Sequence, residues 1–341
     1  MAGAIVDGLR KRGHDAELVV MTTPPFGMRY DRYVPGYGRR ALEGLRAPLR
    51  HDVLHFHFNL TFCEYIDAAW GRIAGKPLMI MHFHGDDCRR REVTFSHHPA
   101  RARIYDASKR NERLTLRRTR LAGRLCDAAI VADFELLKHV QPFFRTVYVV
   151  PAPVEIPRVL AQLEPLPGEG PVILHAPSDN VVKGTAGIVD VIGRVAVRRP
   201  LRPRLVSDMT QTELYAELAR ADIVIDQMNS ETTGIFALQA MALGKPVLCE
   251  YRREMLPQFA QATPVVEAGP EVLAERLEEL CLDQRLREKL GARGAAFTRG
   301  LHDANLVAVA VEQVYEHALT RLPGIYEATA DGLTRLAPMQ S

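Results

Sequence analysis

The stretch from Asp222 to Leu248 constrains the fold more than any other part of the chain. Ile223 to Ile225 is a short β-branched run, the pattern of a strand buried on both faces. A polar loop from Asn229 to Gly234 follows. Ile235 to Leu243 is then a helix-forming run, stopped by Gly244 with Pro246 two residues later. Val247 and Leu248 open the next strand. The chemistry of this unit lies in its loop. Backbone N–H groups at a helix N-terminus have no intrahelical partners and lie at the positive end of the helix dipole, so they suit a phosphate. Gly234 lets that backbone approach a ligand closely. Glu231 sits just before it, where a carboxylate can accept hydrogen bonds from sugar hydroxyls.

The rest of the chain repeats this alternation. Strands are expected at Ala16–Met21, Asp52–Phe58, Leu78–Phe83, Ala128–Val131, Val147–Val150, Val172–His175 and Arg204–Val206. Helices are expected at Met1–Arg12, from Ala107, from Glu135, from about Thr185 to Arg198, and over Thr212–Arg220, Glu271–Leu290 and Ala304–Leu319. Thr22 to Arg50 reads as a long loop with a short helix, and the tail from Leu322 carries no strong signal. Strand–helix alternation implies an α/β fold with parallel sheets and right-handed crossovers. The 341 residues suggest two domains. Prolines and glycines between Ile156 and Pro171 mark the linker. The expected division is 1–156, a linker at 157–171, and 172–341.

At 47% hydrophobic and 25% charged, the composition is that of a soluble globular protein, and a net charge of +3 selects no partner by itself. Cys63, Cys88, Cys126, Cys249 and Cys281 are scattered without metal-ligand spacing and read as reduced thiols. The chain shows no signal peptide and no apolar run of membrane-spanning length, so a cytoplasmic location is expected. One segment is strongly basic: residues 89–124 hold twelve Lys and Arg against Glu92, Asp106 and Glu112. It reads first as a solvated helix face. Its sharper reading is peripheral contact with an anionic membrane or a phosphorylated acceptor. No recognition motif accompanies it, so nucleic acid is not expected as a partner. His55, His57, His82 and His84 invite a metal. Strand alternation is expected to send them to mixed faces, so no metal site is assigned. Asp86-Asp87 is read as capping rather than metal binding.

The Asp222–Leu248 stretch resembles the C-terminal-domain signature of the retaining, glycogen-synthase-like (group 1) glycosyltransferases of the GT-B fold. Glu231 matches the first Glu of that signature, Gly234 its turn, and Ala240-Met-Ala-Leu-Gly244-Lys-Pro246-Val247 its tail. Gln239 stands where the family has a second Glu that holds the ribose. Lys183-Gly184 is similar to the family's Lys-Gly pair, whose lysine meets the donor diphosphate. Ser178 stands where the family has an arginine five residues before it. His82-Phe-His84-Gly-Asp86 resembles the family's His-Gly-Asp turn, and Pro151-Ala-Pro-Val-Glu155 the segment that closes the first domain. Gly8 to Asp15 resembles the first helix and turn of that domain. The strand and glycine loop that ordinarily precede them are expected to be missing.

The resemblance implies two Rossmann-like, doubly wound domains facing a central cleft. It implies a hexosyltransferase that retains configuration without a metal or other cofactor and uses a nucleotide diphosphate sugar. The acceptor class stays open between a saccharide, a lipid-linked and a small molecule. Catalytic roles fall to Glu231, His84 and Lys183. Donor contacts fall to Ser178, Gly184, Thr185, Gly234, Ile235, Phe236 and Gln239. Two alternatives stand beside this reading. Ser178, Gln239 and the missing first strand favour a non-catalytic binding or scaffold protein, and the same fold also carries nucleotide-sugar epimerases.

Overall fold

The computed structural model describes residues 1–23, 27–75, 77–97, 111–156, 167–229, 232–253 and 262–337, the side chains of Phe95 and His97 excepted. The chain forms two compact units. Among the described residues, unit 1 takes 1–97, 111–153 and 304–337, and unit 2 takes 154–303.

Unit 1 is built on a six-stranded sheet. Its strands are β3 (Val53–His57), β4 (Leu78–Phe83), β5 (Ala128–Val131), β6 (Thr146–Val149), β12 (Gly324–Thr329) and β13 (Gly332–Leu336), and their order is β13-β12-β6-β5-β4-β3. All neighbours run parallel except β12 and β13, which form a hairpin. Every residue of β4, β5 and β6 is buried, which is why those segments are apolar without alternation. Helices α1 (Ala2–Lys11) and α13 (Ala304–Ala318) pack together over this sheet. Ile5, Leu9, Val307, Val311 and Val314 cover Ile80, Ile130 and Tyr148. Gly8 makes the approach possible, because a Cβ there would lie 2.4 Å from the Ala308 Cβ.

Several expectations for unit 1 need correction. The strand expected over Ala16–Met21 shrinks to β1 (Val19–Val20), which pairs with β2 (Arg32–Tyr33) in a separate two-stranded sheet. The Leu18 N–H bonds the Asp31 carboxylate at 2.7 Å instead of extending a ladder. Within the expected loop at Thr22–Arg50, Tyr37–Arg50 forms a 14-residue helix, α2. Its buried face is Glu43, Gly44, Ala47 and Pro48, small or charged residues, while its apolar stripe of Leu42, Leu45 and Leu49 is exposed. A Cβ on Gly44 would sit 2.8 Å from the Asp67 Cβ on α3 (Ile66–Ala74), and Glu43 accepts two bonds from Arg32. The tail after Leu322 supplies the β12–β13 hairpin. Next in unit 1 come α4 (Arg91–His97), α5 (Glu112–Leu125) and α6 (Phe134–Val140).

Unit 2 has a five-stranded, all-parallel sheet. Its strands are β7 (Val172–His175), β8 (Arg202–Leu205), β9 (Ile223–Ile225), β10 (Val247–Cys249) and β11 (Val266–Glu267), in the order β11-β10-β9-β7-β8. The chain runs from β7 outward to β8, then returns past β7 to β9. The strand order therefore reverses between β7 and β9, and in open parallel sheets ligands bind outside the strand ends at such a reversal. The helices are α7 (Asn180–Lys183), α8 (Thr185–Ala196), α9 (Gln211–Arg220), α10 (Ile235–Ala242), α11 (Leu273–Leu282) and α12 (Gln284–Phe297). Ile188, Val191 and Val195 of α8 and Leu273, Leu277 and Leu280 of α11 join Ile173, Ile223, Ile225 and Leu248 in its core. The single helix expected over Glu271–Leu290 is two. Asp283 is extended, ends α11 and caps α12 through the Leu286 N–H, a break inside a continuous charged pattern.

Candidate functional site

The polar groups that converge at the strand reversal of unit 2 come from the ends of β7 and β9. Beyond β7, Asp179 caps α7 by accepting the N–H groups of Val181 and Val182, and the turn delivers Lys183 as the last residue of that helix. Gly184 then takes a left-handed conformation, φ 73°, and starts α8. A Cβ on Gly184 would also press on Asn229 Nδ2 at 3.1 Å and Met228 Cβ at 3.2 Å. Beyond β9, Asp226 and Gln227 turn inward. Lys183 Nζ donates to Asp226 Oδ1 and to Gln227 Oε1, both at 2.8 Å. The Gly234 N–H donates to Asp226 Oδ2 at 3.1 Å, so one carboxylate holds the lysine and the start of α10 together. Gln227 Nε2 donates to the Thr232 carbonyl at 2.6 Å, and the Gln227 main-chain carbonyl accepts the Glu250 N–H at 2.8 Å.

The lysine side chain is 12% exposed and the Asp226 side chain 1%. Two opposite charges held this far from water are worth keeping only as a pair. Asp226 and Gln227 have no place in the sequence reading. Their signal is positional: two polar residues at the carboxyl end of a fully apolar strand, where a doubly wound sheet puts its ligand-facing groups.

The other expected donor contacts are placed as follows. Gly234 has an ordinary φ of −83°, and a Cβ there would sit 2.9 Å from Asp226 Oδ2 and 3.0 Å from Lys183 Nζ. The closeness that requires glycine is thus to the ion pair of this chain. Ile235 and Phe236 open α10, and first-turn amides such as theirs lack intrahelical acceptors. Ser178 is exposed in the turn after β7. The Thr185 hydroxyl is 3.0 Å from His175 Nε2. His175 Nδ1 faces the Ile225 carbonyl at 2.8 Å, so that nitrogen carries the proton and Nε2 accepts from Thr185. Burial lowers the His175 pKa below its usual value. Gln239 is buried on α10, and the Tyr215 hydroxyl donates to the Glu155 carbonyl at 2.6 Å. Arg253 bonds the Thr263 and Val265 carbonyls, and Arg252 lies 3.8 Å from Glu250. Glu231 lies outside the described residues.

In unit 1, the expectation of mixed faces for the histidines is wrong. His55 and His57 are two apart on β3, His82 and His84 two apart across the end of β4, and the register sets His57 beside His82. Residues two apart share a face of a sheet, and all four rings form one stack. Centroids lie 4.5 Å apart for His55–His57, 5.2 Å for His57–His82 and 4.3 Å for His82–His84. His55 Nδ1 meets the Tyr315 hydroxyl at 2.6 Å, His55 Nε2 meets His82 Nδ1 at 3.2 Å, and His57 Nδ1 meets His84 Nε2 at 2.8 Å. Buried His84 Nδ1 has no hydrogen-bond partner among the described residues. Desolvation lowers all four pKa values, that of His55 to about 4. Asp87 caps the turn after β4, accepting the N–H groups of His84 and Gly85, and burial raises its pKa to about 6.

The basic segment divides. Arg89 is buried in a bidentate bond with Glu135 and also pairs with Asp86. Arg90 donates to the Lys138 carbonyl and lies over the Phe143 ring. Arg118 pairs with Glu64. Arg113, Arg117, Arg120 and Arg124 are exposed, at the four-three-four spacing of one helical face of α5. Residues 98–110 of this segment, and 157–166 of the expected linker, lie outside the described residues. Among the described residues, no helix is long and apolar enough to cross a membrane.

Residues 204–297 match the family model of glycosyl transferases group 1. No curated protein matches the chain. Among solved structures, the chain is similar to the sucrose-phosphate synthase of Thermosynechococcus elongatus: TM-score 0.66, 12% identity, 93% of this chain and 92% of that one. It is also similar to WaaG, a glycosyltransferase involved in lipopolysaccharide biosynthesis (TM-score 0.56, 12% identity, 88% and 98% covered). A third likeness is to Anabaena HepE in complex with UDP (TM-score 0.55, 12% identity, 83% and 82% covered). At such identities the likeness speaks for the fold, which is that of the GT-B glycosyltransferases.

Proposed function

We propose that this chain transfers a glycosyl group from a nucleoside-diphosphate sugar to an acceptor, with retention of configuration and no metal in the transfer step. The observation that carries the reading is the meeting of Lys183, Asp226 and the start of α10 at the strand reversal of unit 2. Asp226 and α10 fall inside the segment that matches group 1 glycosyl transferases. HepE, of the same fold, is described in complex with UDP, which supports a nucleoside diphosphate as the donor's leaving group.

In this reading the bond from the anomeric carbon to the diphosphate breaks, and negative charge grows on the departing phosphate. Lys183 and the first-turn amides of α10 stabilise that charge. Asp226 and Gln227 hold the ammonium in place before the donor arrives, so little reorganisation accompanies the reaction. The acceptor hydroxyl gives its proton to the leaving phosphate and bonds to the anomeric carbon on the face just vacated. Glu231 and His84 orient the donor sugar and Gln239 contacts the ribose, as the family resemblance implies.

The test is calorimetry of the full chain with UDP-, GDP- and ADP-glucose, followed by slow donor hydrolysis without acceptor. One donor is expected to bind and to release nucleoside diphosphate, with Lys183→Ala losing both. Binding without turnover in any acceptor screen would point to a scaffold, and conversion of the donor to its epimer would point to an epimerase. A folded protein that binds none of the three donors would sink the reading.

A further inference from the structure

The histidine stack of unit 1 has no part in the transfer step beyond His84, yet its geometry is that of a ligand set. One nitrogen from each of His55, His57 and His82 lies within 4.8 Å of the others. His55 Nε2 and His82 Nδ1 are 3.2 Å apart. Two imidazole nitrogens on a tetrahedral zinc ion, each about 2.0–2.1 Å from the metal, stand about 3.3–3.4 Å apart. That pair therefore needs almost no movement, and a His57 nitrogen within 4.8 Å of both is the third member of the set. The outer nitrogens are also furnished: His55 Nδ1 meets the Tyr315 hydroxyl at 2.6 Å, and His57 Nδ1 meets His84 at 2.8 Å. Metal-binding histidines ordinarily have their second nitrogen held in this way.

We propose that His55, His57 and His82 bind a zinc-class transition-metal dication on unit 1, with Tyr315 and His84 orienting the ligands. The set contains only imidazoles, which suits zinc, nickel or copper and does not suit calcium or magnesium. At His55–His82 the two ring nitrogens are within hydrogen-bond distance, one carrying the proton and the other accepting it. Metal binding displaces that proton and turns both lone pairs to the ion. Three protein ligands leave a fourth position for water or an acceptor group. The site stands independently of the transferase reading, which needs no metal.

The experiment uses the untagged full chain, stripped with chelator and dialysed against Zn²⁺ or Co²⁺. About one equivalent of zinc per chain is expected to remain, with a rise in melting temperature. The cobalt form is expected to show visible d–d bands of a nitrogen-ligated tetrahedral ion without the ultraviolet band of thiolate ligation. His55→Gln with His82→Gln is expected to abolish binding, and His84→Gln to weaken it about 10- to 100-fold. Less than a tenth of an equivalent retained, metal retained by the double variant, or a thiolate band would each overturn the proposal. Should the double variant fail to fold by circular dichroism, the stoichiometry and cobalt spectrum of the wild-type chain decide alone.

Discussion

Lys183 Nζ and Asp226 Oδ1 lie 2.8 Å apart, and the opposite oxygen of the same carboxylate accepts the Gly234 N–H. Removing either charge leaves the other buried and unpaired. Asp226→Ala and Lys183→Ala are each expected to destabilise unit 2 by about 3 kcal/mol, with the double variant less destabilised than the sum. Urea unfolding of the three variants checks this. Additive losses would mean the two charges are not coupled.

Gly234→Ala tests the close approach. The new Cβ would press on Asp226 Oδ2 and Lys183 Nζ, and neither atom is free to swing away because each is held in the pair. A loss of about 1–3 kcal/mol is expected, as for other overpacked sites. An unchanged melting temperature would show that the loop yields.

Gly8→Ala sets two effects against each other. Alanine favours a helix interior over glycine by about 1 kcal/mol. At 2.4 Å from the Ala308 Cβ, the added methyl must push α1 from α13, and overpacking costs about 1–3 kcal/mol. Net destabilisation is expected, with partial recovery on adding Ala308→Gly. Thermal unfolding of both variants is the check.

His175 makes the stability of unit 2 sensitive to acid. Its pKa is lowered below the ordinary 6.5, so it stays neutral in the fold while the unfolded chain gains a proton. Stability is therefore full above about pH 6.5 and falls as the pH drops below that value. Replacement by Gln should flatten this dependence. Urea midpoints at pH 7.5 and 5.5, compared between wild type and His175→Gln, measure the difference. An equal drop in both would remove His175 as a cause.

The arginine stripe of α5 carries the expectation of membrane contact. Arg113, Arg117, Arg120 and Arg124 face solvent together, and Leu42, Leu45 and Leu49 of α2 are exposed on the same unit. Basic residues near an anionic surface contribute about 1 kcal/mol each. Cosedimentation with phosphatidylserine-containing vesicles at low salt is expected, and replacing the four arginines with glutamine should abolish it. Equal binding to neutral vesicles would argue against an electrostatic contact.

Much of this architecture was legible in the sequence, because a strand buried on both faces writes itself as an unbroken apolar run. β4, β5, β7 and β9 were found that way. What stayed hidden lacked such a run. Helix α2 buries small residues and a glutamate, and β12 alternates partly exposed positions at a sheet margin. For the site, motif spacing led to Lys183 and Gly234, but Asp226 and Gln227 acquire meaning only once β7 and β9 are neighbours. The histidines failed for a different reason. Their two-residue spacings already put each pair on one face, and the pairing of β3 with β4 then merges the two pairs into one stack.

The sheet of unit 1 is finished by a strand from far along the chain: β12 lies beside β6, with Tyr326 opposite Tyr148. On the ribosome, β6 must wait for its neighbour while the whole of unit 2 is synthesised. The described residues of unit 2 end at Asp303, so all of them are synthesised before β12. A chain ending at Asp303 therefore carries the described residues of the second unit and an open-edged first one. That bare edge of β6 is where a nascent chain of this kind is most open to mispairing with another.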